Sequence, residues 1–272
     1  MLALAGDWSS DVERLLEQEW AKLSIFGVTW KDYTPLARYA QRIRWINVPF
    51  GPASSAGFAT FQALERLELS DVLKPSVDFR ALPALRSMEI LWSKILPAEF
   101  IANQSVERLI LSGMGTPDLA SLAPMQKLQF IELKGGRLRS LAGVEHMHNL
   151  RTLKTFELKY CTDVRAIESL VGLSELEIDC PKASVPATDW IHAMPHLQRL
   201  SLFAIVERFD WHAAAAHPAL SHISVSMAEG YALSDAQIAN ELARSGREIL
   251  SFKSFRKKAP GFIVELEPRK VH

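Results

Sequence analysis

The chain has 272 residues, 31 basic and 31 acidic side chains, and 48% apolar residues, so it is neutral overall and apolar enough to order itself. The charge balance excludes a global attraction to nucleic acid or to an acidic membrane surface. No run of about eighteen apolar residues predicts a membrane span. The start MLALAGDWSSD lacks the basic region and long apolar stretch of a secretory signal. The expectation is a cytoplasmic, reducing setting in which Cys161 and Cys180 are free thiols and no disulfide joins them.

In chain order, the first predicted element is a helix. Ser10-x-x-Glu13 has the form of a capping box, and Val12, Leu15, Leu16 and Trp20 follow at helical spacing. This predicts an amphipathic helix from Ser10 to about Glu19 that covers an open end, making residues 1–22 an N-terminal helical cap. From Leu23 to Ser226 one frame recurs. In Phe61-Leu64-Leu67-Leu69 the apolar steps are three, three and two, which reads as a bend entering a short strand with alternate side chains buried. The frame returns as Leu82-Leu85-Met88-Ile90, Val106-Leu109-Leu111 and Met125-Leu128-Ile131-Leu133. It continues as Leu150-Leu153-Phe156-Leu158, Leu170-Leu173-Leu176-Ile178, Met194-Leu197-Leu200-Leu202 and Leu220-Ile223-Val225. Upstream, Ala40-Ile43-Ile46-Val48 fits, and Trp20-Leu23-Phe26-Val28 fits more loosely. Copies lie 20 to 25 residues apart, so about ten units over residues 23–226 make one solenoid.

Pro75, Pro97, Pro117, Pro181 and Pro186 fall in the segments between strands, which suits 3₁₀ turns. The longer segment Pro181–Met194, with Thr188-Asp189-Trp190, predicts a true helix. After Val225 the frame ends. Ser234-Asp235-Ala236-Gln237 is a second capping box, with Ile238 and Leu242 on one face and Gly246 as a stop. Ile249–Phe255 and Phe262–Leu266 read as strands joined by a turn at Lys257–Gly261, so residues 227–272 are predicted to be a C-terminal helix-plus-hairpin cap.

The L-x-x-L-x-L frame covers about 200 of the 272 residues and resembles that of the leucine-rich-repeat superfamily. That family commonly places an Asn three residues after the strand, bonded to backbone in the turn. Here those positions hold Val72, Ser93, Met114, Gly136 and Cys161, which resembles a divergent bacterial-type array. The resemblance implies an α/β solenoid: a right-handed horseshoe with a parallel sheet on its concave side.

In each L-x-L the middle side chain points away from the core. The aligned middle positions are Gly27, Asn47, Glu68, Glu89, Ile110, Glu132, Glu157, Glu177, Ser201 and Ser224. Neighbouring carboxylates about 5 Å apart repel by roughly 1 kcal/mol per pair in water, so folding alone gives no reason to choose them. The column reads as an acidic stripe flanked by aromatics, with Trp92 and Tyr160 just beyond the strands. It predicts a binding face for a basic protein, formed by Trp45, Glu68, Glu89, Phe130, Glu132, Glu157, Glu175, Glu177, Asp179 and Phe203. Glu175, Glu177 and Asp179, on one strand with little base nearby, are its centre. The plainer alternative is a solvated face neutralised by Arg66, Arg108, Lys134, Lys159 and Arg199.

Little else points to chemistry. Cys161-Thr162-Asp163 looks like the C-x-D of bacterial leucine-rich-repeat ubiquitin ligases, but the helical domain that carries it there is not read in this sequence, so a structural thiol is expected. His192 and His196 flank Pro195, and His212, His217 and His222 are spaced by five, so neither set predicts a metal site; Glu145–His148 reads as a surface turn. Gly113, Gly115 and Gly135-Gly136 lack the spacing of a phosphate loop, and no cofactor is predicted. Lys253, Arg256, Lys257 and Lys258 read as a guard on an edge strand. The predicted function is a non-enzymatic protein-binding scaffold. One form is an immunity or inhibitor protein that masks a basic toxin; the alternative is a host-directed effector or signalling adaptor.

Overall fold

The structure is a computed structural model that describes residues 1–20, 22–52, 54–70, 77–92, 100–227, 233–246, 248–256 and 260–267. Pro75 and Pro97, the ladder positions Val72 and Ser93, and the guard residues Lys257 and Lys258 lie outside them. Two compact units are present, Met1–Gly115 with Pro124–Leu128, and Thr116–Ala123 with Gln129–His272.

In the first unit, β1 (Leu2–Gly6) leads through helix α1 (Ser10–Leu16) to β2 (Leu23–Val28), and β3 (Trp45–Phe50), β4 (Arg66–Leu69), β5 (Ser87–Leu91) and β6 (Arg108–Ser112) follow. Each strand pairs in parallel with the next in chain order. The segment ahead of Leu23 is therefore more than a helix. Leu2-Ala3-Leu4 lies opposite Leu23-Ser24-Ile25, and α1 is a return segment between two strands. The cap of α1 is Ser9, whose hydroxyl accepts from Val12 N, while the Glu13 carboxylate is taken by Trp8 Nε1 at 3.0 Å. The box read at Ser10 is thus one residue out and not closed.

The inward residues stack in register. Ile46, Leu67, Met88 and Leu109 lie opposite one another on successive strands and are all fully buried. Each such side chain contributes about 1.5–3 kcal/mol by leaving water.

In the second unit, β7 (Phe130–Lys134), β8 (Thr152–Phe156), β9 (Glu175–Val185), β10 (Arg199–Val206) and β11 (His222–Met227) pair in parallel, with helix α2 (Trp211–Ala216) between the last two. Helix α3 (Asp235–Ala243) then precedes β12 (Ile249–Arg256) and β13 (Pro260–Leu266). The hairpin folds back so that β13 pairs antiparallel with β11 and β12 lies outside it. The α3 capping box is as the sequence predicts, with Ser234 and Gln237 each accepting from the other's backbone.

The segments between strands are mostly 3₁₀ turns, including Asp189–Ala193. The true helix expected at Pro181–Met194 is not there, because β9 runs on to Val185 and uses up the segment. It forms one return later as α2, where Asp210 caps by accepting from Ala213 N at 2.7 Å. Four consecutive alanines favour the helix and let it pack closely.

The repeat frame differs from the sequence reading in two places. In β2 the buried pair is Leu23 and Ile25, while Phe26 is 44% exposed. In β8 the buried pair is Leu153 and Thr155; Phe156 is half-buried on the other face, and Leu158 is buried beyond the strand's end. Both frames fit a three-then-two spacing because they share Leu23 or Leu153. Thr155 takes a core position because its hydroxyl is satisfied there, accepting from Asp179 N at 2.8 Å and lying 3.7 Å from Cys180 Sγ. The shift also moves Cys161 off the ladder position.

Two polar residues occupy the inward site three before the strand frame, where the other repeats are apolar. Asn103 is buried and donates to Phe79 O at 2.7 Å and Leu82 O at 3.0 Å, while its own oxygen accepts from Ser105 N at 2.9 Å. His217 bonds Met194 O through Nε2 at 3.0 Å, and its Nδ1 accepts from Ala219 N and Leu220 N. Each ties its turn to the carbonyl of the preceding repeat. Backbone approach is also close at Gly57 and Gly143. Both have positive φ, and a Cβ there would stand 2.5 Å from Thr34 N or 2.4 Å from Ala120 N.

Removing either polar tie leaves buried carbonyls and amides unpaired. Asn103→Ala and His217→Ala are each expected to destabilise by about 2–4 kcal/mol in urea unfolding. Gln62→Ala, an exposed change, is expected to stay within about 0.5 kcal/mol. Equal effects from all three would rule out the role given to Asn103 and His217.

Candidate functional site

The exposed face of each sheet is set by the same register that sets the core, because side chains alternate along a strand. In the first unit the face positions Asn47, Glu68, Glu89 and Ile110 are in register, with Ser24 rather than Gly27 beside Asn47. Glu68 is not an open charge. It accepts from Lys22 Nζ at 2.9 Å, from Trp45 Nε1 at 2.8 Å, and lies 3.0 Å from Arg66 Nε. The Trp45 ring carries Lys22 4.4 Å and Arg66 4.2 Å from its centroid. Trp45 and Glu68 therefore form a closed cluster with two cations, and its charge is spent internally. Lys22 was not anticipated as a partner.

In the second unit the face is a grid. One row runs Phe130, Thr152, Glu175, Arg199, His222, Glu265, and the next runs Glu132, Lys154, Glu177, Ser201, Ser224, Ile263. The middle column holds Lys154 where the sequence reading put Glu157. Its ammonium lies 2.8 Å from Glu175 and 3.9 Å from Glu177. Glu175 also faces Arg199 at 3.5 Å, and Glu132 is paired with Lys134 at 2.9 Å. The expectation of little base beside Glu175, Glu177 and Asp179 is thus corrected. Regular spacing was the signal for Lys154: with Leu150 in frame, Leu128, Leu150 and Leu173 stand 22 and 23 residues apart instead of an uneven 25 and 20.

Glu157 leaves the face altogether. It sits in the exposed turn after β8 with φ +52, and its backbone N–H donates to Asp179 Oδ2 at 2.9 Å. Phe203 lies opposite Asp179 and is 42% exposed, and Phe130 begins β7 beside Thr152. Beyond the strands, Tyr160 is exposed with Lys182 Nζ 5.8 Å from its ring. Glu177, 3.9 Å from Lys154, and Asp179, which accepts from Glu157 N, are the carboxylates next to Phe203. Partial burial raises the Glu177 pKa above the ordinary carboxylate value, and Glu175, Glu132 and Asp179 add to this against the lowering effect of Lys154.

The motifs considered for chemistry are occupied structurally. Cys161 is fully buried and its thiol donates to Asp163 O, while the Asp163 carboxylate is gripped by Arg165 Nε and Nη2 at 2.9 Å each. Among the described residues no group of three or more His, Cys, Asp or Glu side chains is placed to hold a metal, and no helix is long and apolar enough to cross a membrane.

No protein-family model matches the sequence, and no curated protein matches it either. Solved structures do. An internalin from Listeria monocytogenes superposes with a TM-score of 0.56 at 13% identity, over 86% of this chain and 67% of the internalin. A leucine-rich-repeat protein of Leptospira interrogans superposes with a TM-score of 0.57 at 17% identity, over 71% of this chain. The chain spans 51% of that protein's length. This chain folds as a leucine-rich-repeat protein. Identities this low carry the fold and nothing about a ligand. Within that fold, this repeat protein departs from a regular Asn ladder by using Asn103 and His217 at the turn before the strand.

Lys154 bridges Glu175 and Glu177. Lys154→Met is expected to destabilise by about 1–2 kcal/mol at neutral pH, with the loss shrinking as the carboxylates protonate in acid. Glu177→Gln should act in the opposite sense. Because its folded pKa is raised, Glu177 favours the folded state most below its unfolded value and loses that contribution as pH rises through the folded value. The denaturation midpoint of Glu177→Gln should therefore exceed wild type at pH 7 and converge with it near pH 3. A lower midpoint at pH 7 would show that Glu177 is stabilising.

Proposed function

We propose that this leucine-rich-repeat chain is a non-enzymatic protein-binding scaffold. Its recognition surface is the exposed sheet face of the second unit, centred on Glu177, Asp179 and Phe203. Repeat solenoids offer an extended, rigid surface of side chains that are free of core duties, and such a surface suits binding of a folded partner. The observation that carries the proposal is Glu177. Its carboxylate is partly buried near Glu175, Glu132 and Asp179, with Lys154 3.9 Å away as counterion, and burial and the neighbouring acids together disfavour its charge. A cation from outside relieves that cost.

The partner chemistry follows. A basic side chain seated between Glu177 and Asp179 gains two carboxylates, and its stem packs on exposed Phe203. Aromatic and arginine pairings of this kind commonly dominate interfaces. Phe130, Glu132 and Glu175 border the site and orient the approach, with Lys154 in register between Glu132 and Glu177. The face of the first unit contributes less, since Trp45 and Glu68 are already paired. The immunity reading takes the form of tight one-to-one masking of a basic toxin; the adaptor reading takes the form of weaker binding to several basic partners.

The test is affinity capture from native lysate with wild type and with Glu177→Lys/Asp179→Lys. A basic protein retained by wild type, lost at least tenfold by the double variant, and released by raised salt is the expected result. Identical capture by both proteins would remove this face from the function.

A further inference from the structure

We infer that the recognition face takes a linear segment of its protein partner. An arginine or lysine of that segment sits at Glu177 and Asp179, and a large apolar side chain two or four places away covers Phe203 and Ile205. The inference rests on the protein-binding reading above and adds an apolar half to its site. It starts from β10, which runs eight residues, past the Leu202 that ends the repeat frame, whereas β4 to β8 have four or five each. Leu200, Leu202, Ala204 and Val206 are buried, so the alternate residues Phe203 and Ile205 stand together on the outer face, each 42% exposed.

Along β9 and β10 the chemistry of the face changes in one direction. Arg199 lies opposite Glu175, Ser201 opposite Glu177, Phe203 opposite Asp179 and Ile205 opposite Ser184. Charge occupies one end and apolar surface the other. Covering two large apolar side chains with a third removes their area from water, and this is favourable. The acids beside them decide what does the covering, because a neutral or acidic segment would leave Glu177 and Asp179 without a new cation. A segment with a base and an apolar residue side by side satisfies both halves at once, and anchors of this kind dominate interfaces.

Strand geometry sets the spacing. An extended chain advances about 3.3 Å per residue, so Phe203 and Ile205 lie roughly 7 Å and 13 Å beyond Ser201, the residue opposite Glu177. A partner segment laid along the strands reaches them with side chains two and four places from its base. Both β9 and β10 are already paired on each side, so side chains carry the contact and no strand is added. Between Asp179 and Ser184 the register shifts, and β9 there exposes Lys182, whose ammonium lies 5.8 Å from the Tyr160 ring. That cation repels a base from the apolar end and fixes which way round the segment lies.

The test selects a displayed library of random short peptides on the full chain. Enriched peptides are synthesised, and their affinity is measured for wild type, Glu177→Lys/Asp179→Lys, Phe203→Thr/Ile205→Thr and Phe26→Thr. Threonine keeps the strand preference, and Phe26 is an exposed apolar control in the first unit. The expected consensus is a base with Phe, Trp, Leu or Ile two or four places away. Each double variant should weaken the peptide by about tenfold or more, and Phe26→Thr should leave it unchanged. If the threonine double variant does not fold, the consensus and its two single variants decide. A basic consensus without the apolar residue, or full affinity in Phe203→Thr/Ile205→Thr, would overturn this inference and leave the acidic face standing. Peptides held equally by Glu177→Lys/Asp179→Lys would take the whole face out of the function, and this inference with it. A library that yields no binder, or a wild-type chain that self-associates in sedimentation through Phe203 and Ile205, would also overturn the inference.

Discussion

A repeat of twenty-odd residues cannot bury its own apolar edge, and nearly everything in this structure follows from the need to stack it on a neighbour. In the first unit Ile46, Leu67, Met88 and Leu109 meet side by side, and in the second Ile131, Leu153, Leu176, Leu200 and Ile223 do the same. A slip of one residue on any strand would turn its buried column to water and its charged column to the core, at several kcal/mol per strand. Register is therefore locked from inside. The polar residues that enter the stack, Thr155, Asn103 and His217, do so with their hydrogen bonds met.

That inner lock decides the outer face. Glu132, Lys154 and Glu177 stand in one row because Ile131, Leu153 and Leu176 stand in another. Side-chain charge has no say in the placement; it adapts to it. Lys154 accordingly serves as a local counterion, closer to Glu175 than to Glu177 at the corner beside Phe203. The contrast with the first unit is instructive, since there Lys22 and Arg66 bracket Trp45 and satisfy Glu68 completely. Similar residues make a tight cluster around one ring in one unit and a wider network across three strands in the other.

The turns that connect the strands carry the second layer of specificity. Gly57 and Gly143 let one return segment touch the backbone of another, and Asn103 and His217 bind the carbonyls of the preceding repeat. After β8 the turn is different in kind, with the non-glycine Glu157 in the left-handed region.

Much of this was legible in the residues. Spacings of three and two repeat often enough to require stacked strands with short turns between them, and the Ser234–Gln237 box and the C-terminal hairpin are local patterns that need no partner to be read. The sequence by itself determined the repeat, the number and direction of most strands, and the apolar column that holds them. It could not choose between two frames sharing Leu153, since both satisfy the same spacing and a buried Thr looks polar until Asp179 N is placed against it. Nor could it see β1, whose Leu2-Ala3-Leu4 is too short to announce a strand without Leu23-Ser24-Ile25 alongside. Only the tertiary structure decided that Lys154 replaces Glu157 on the face, and that Trp45 carries two cations against its ring. Each of these depends on side chains some twenty residues apart in the chain, and only the stacking of neighbouring repeats brings such residues into contact.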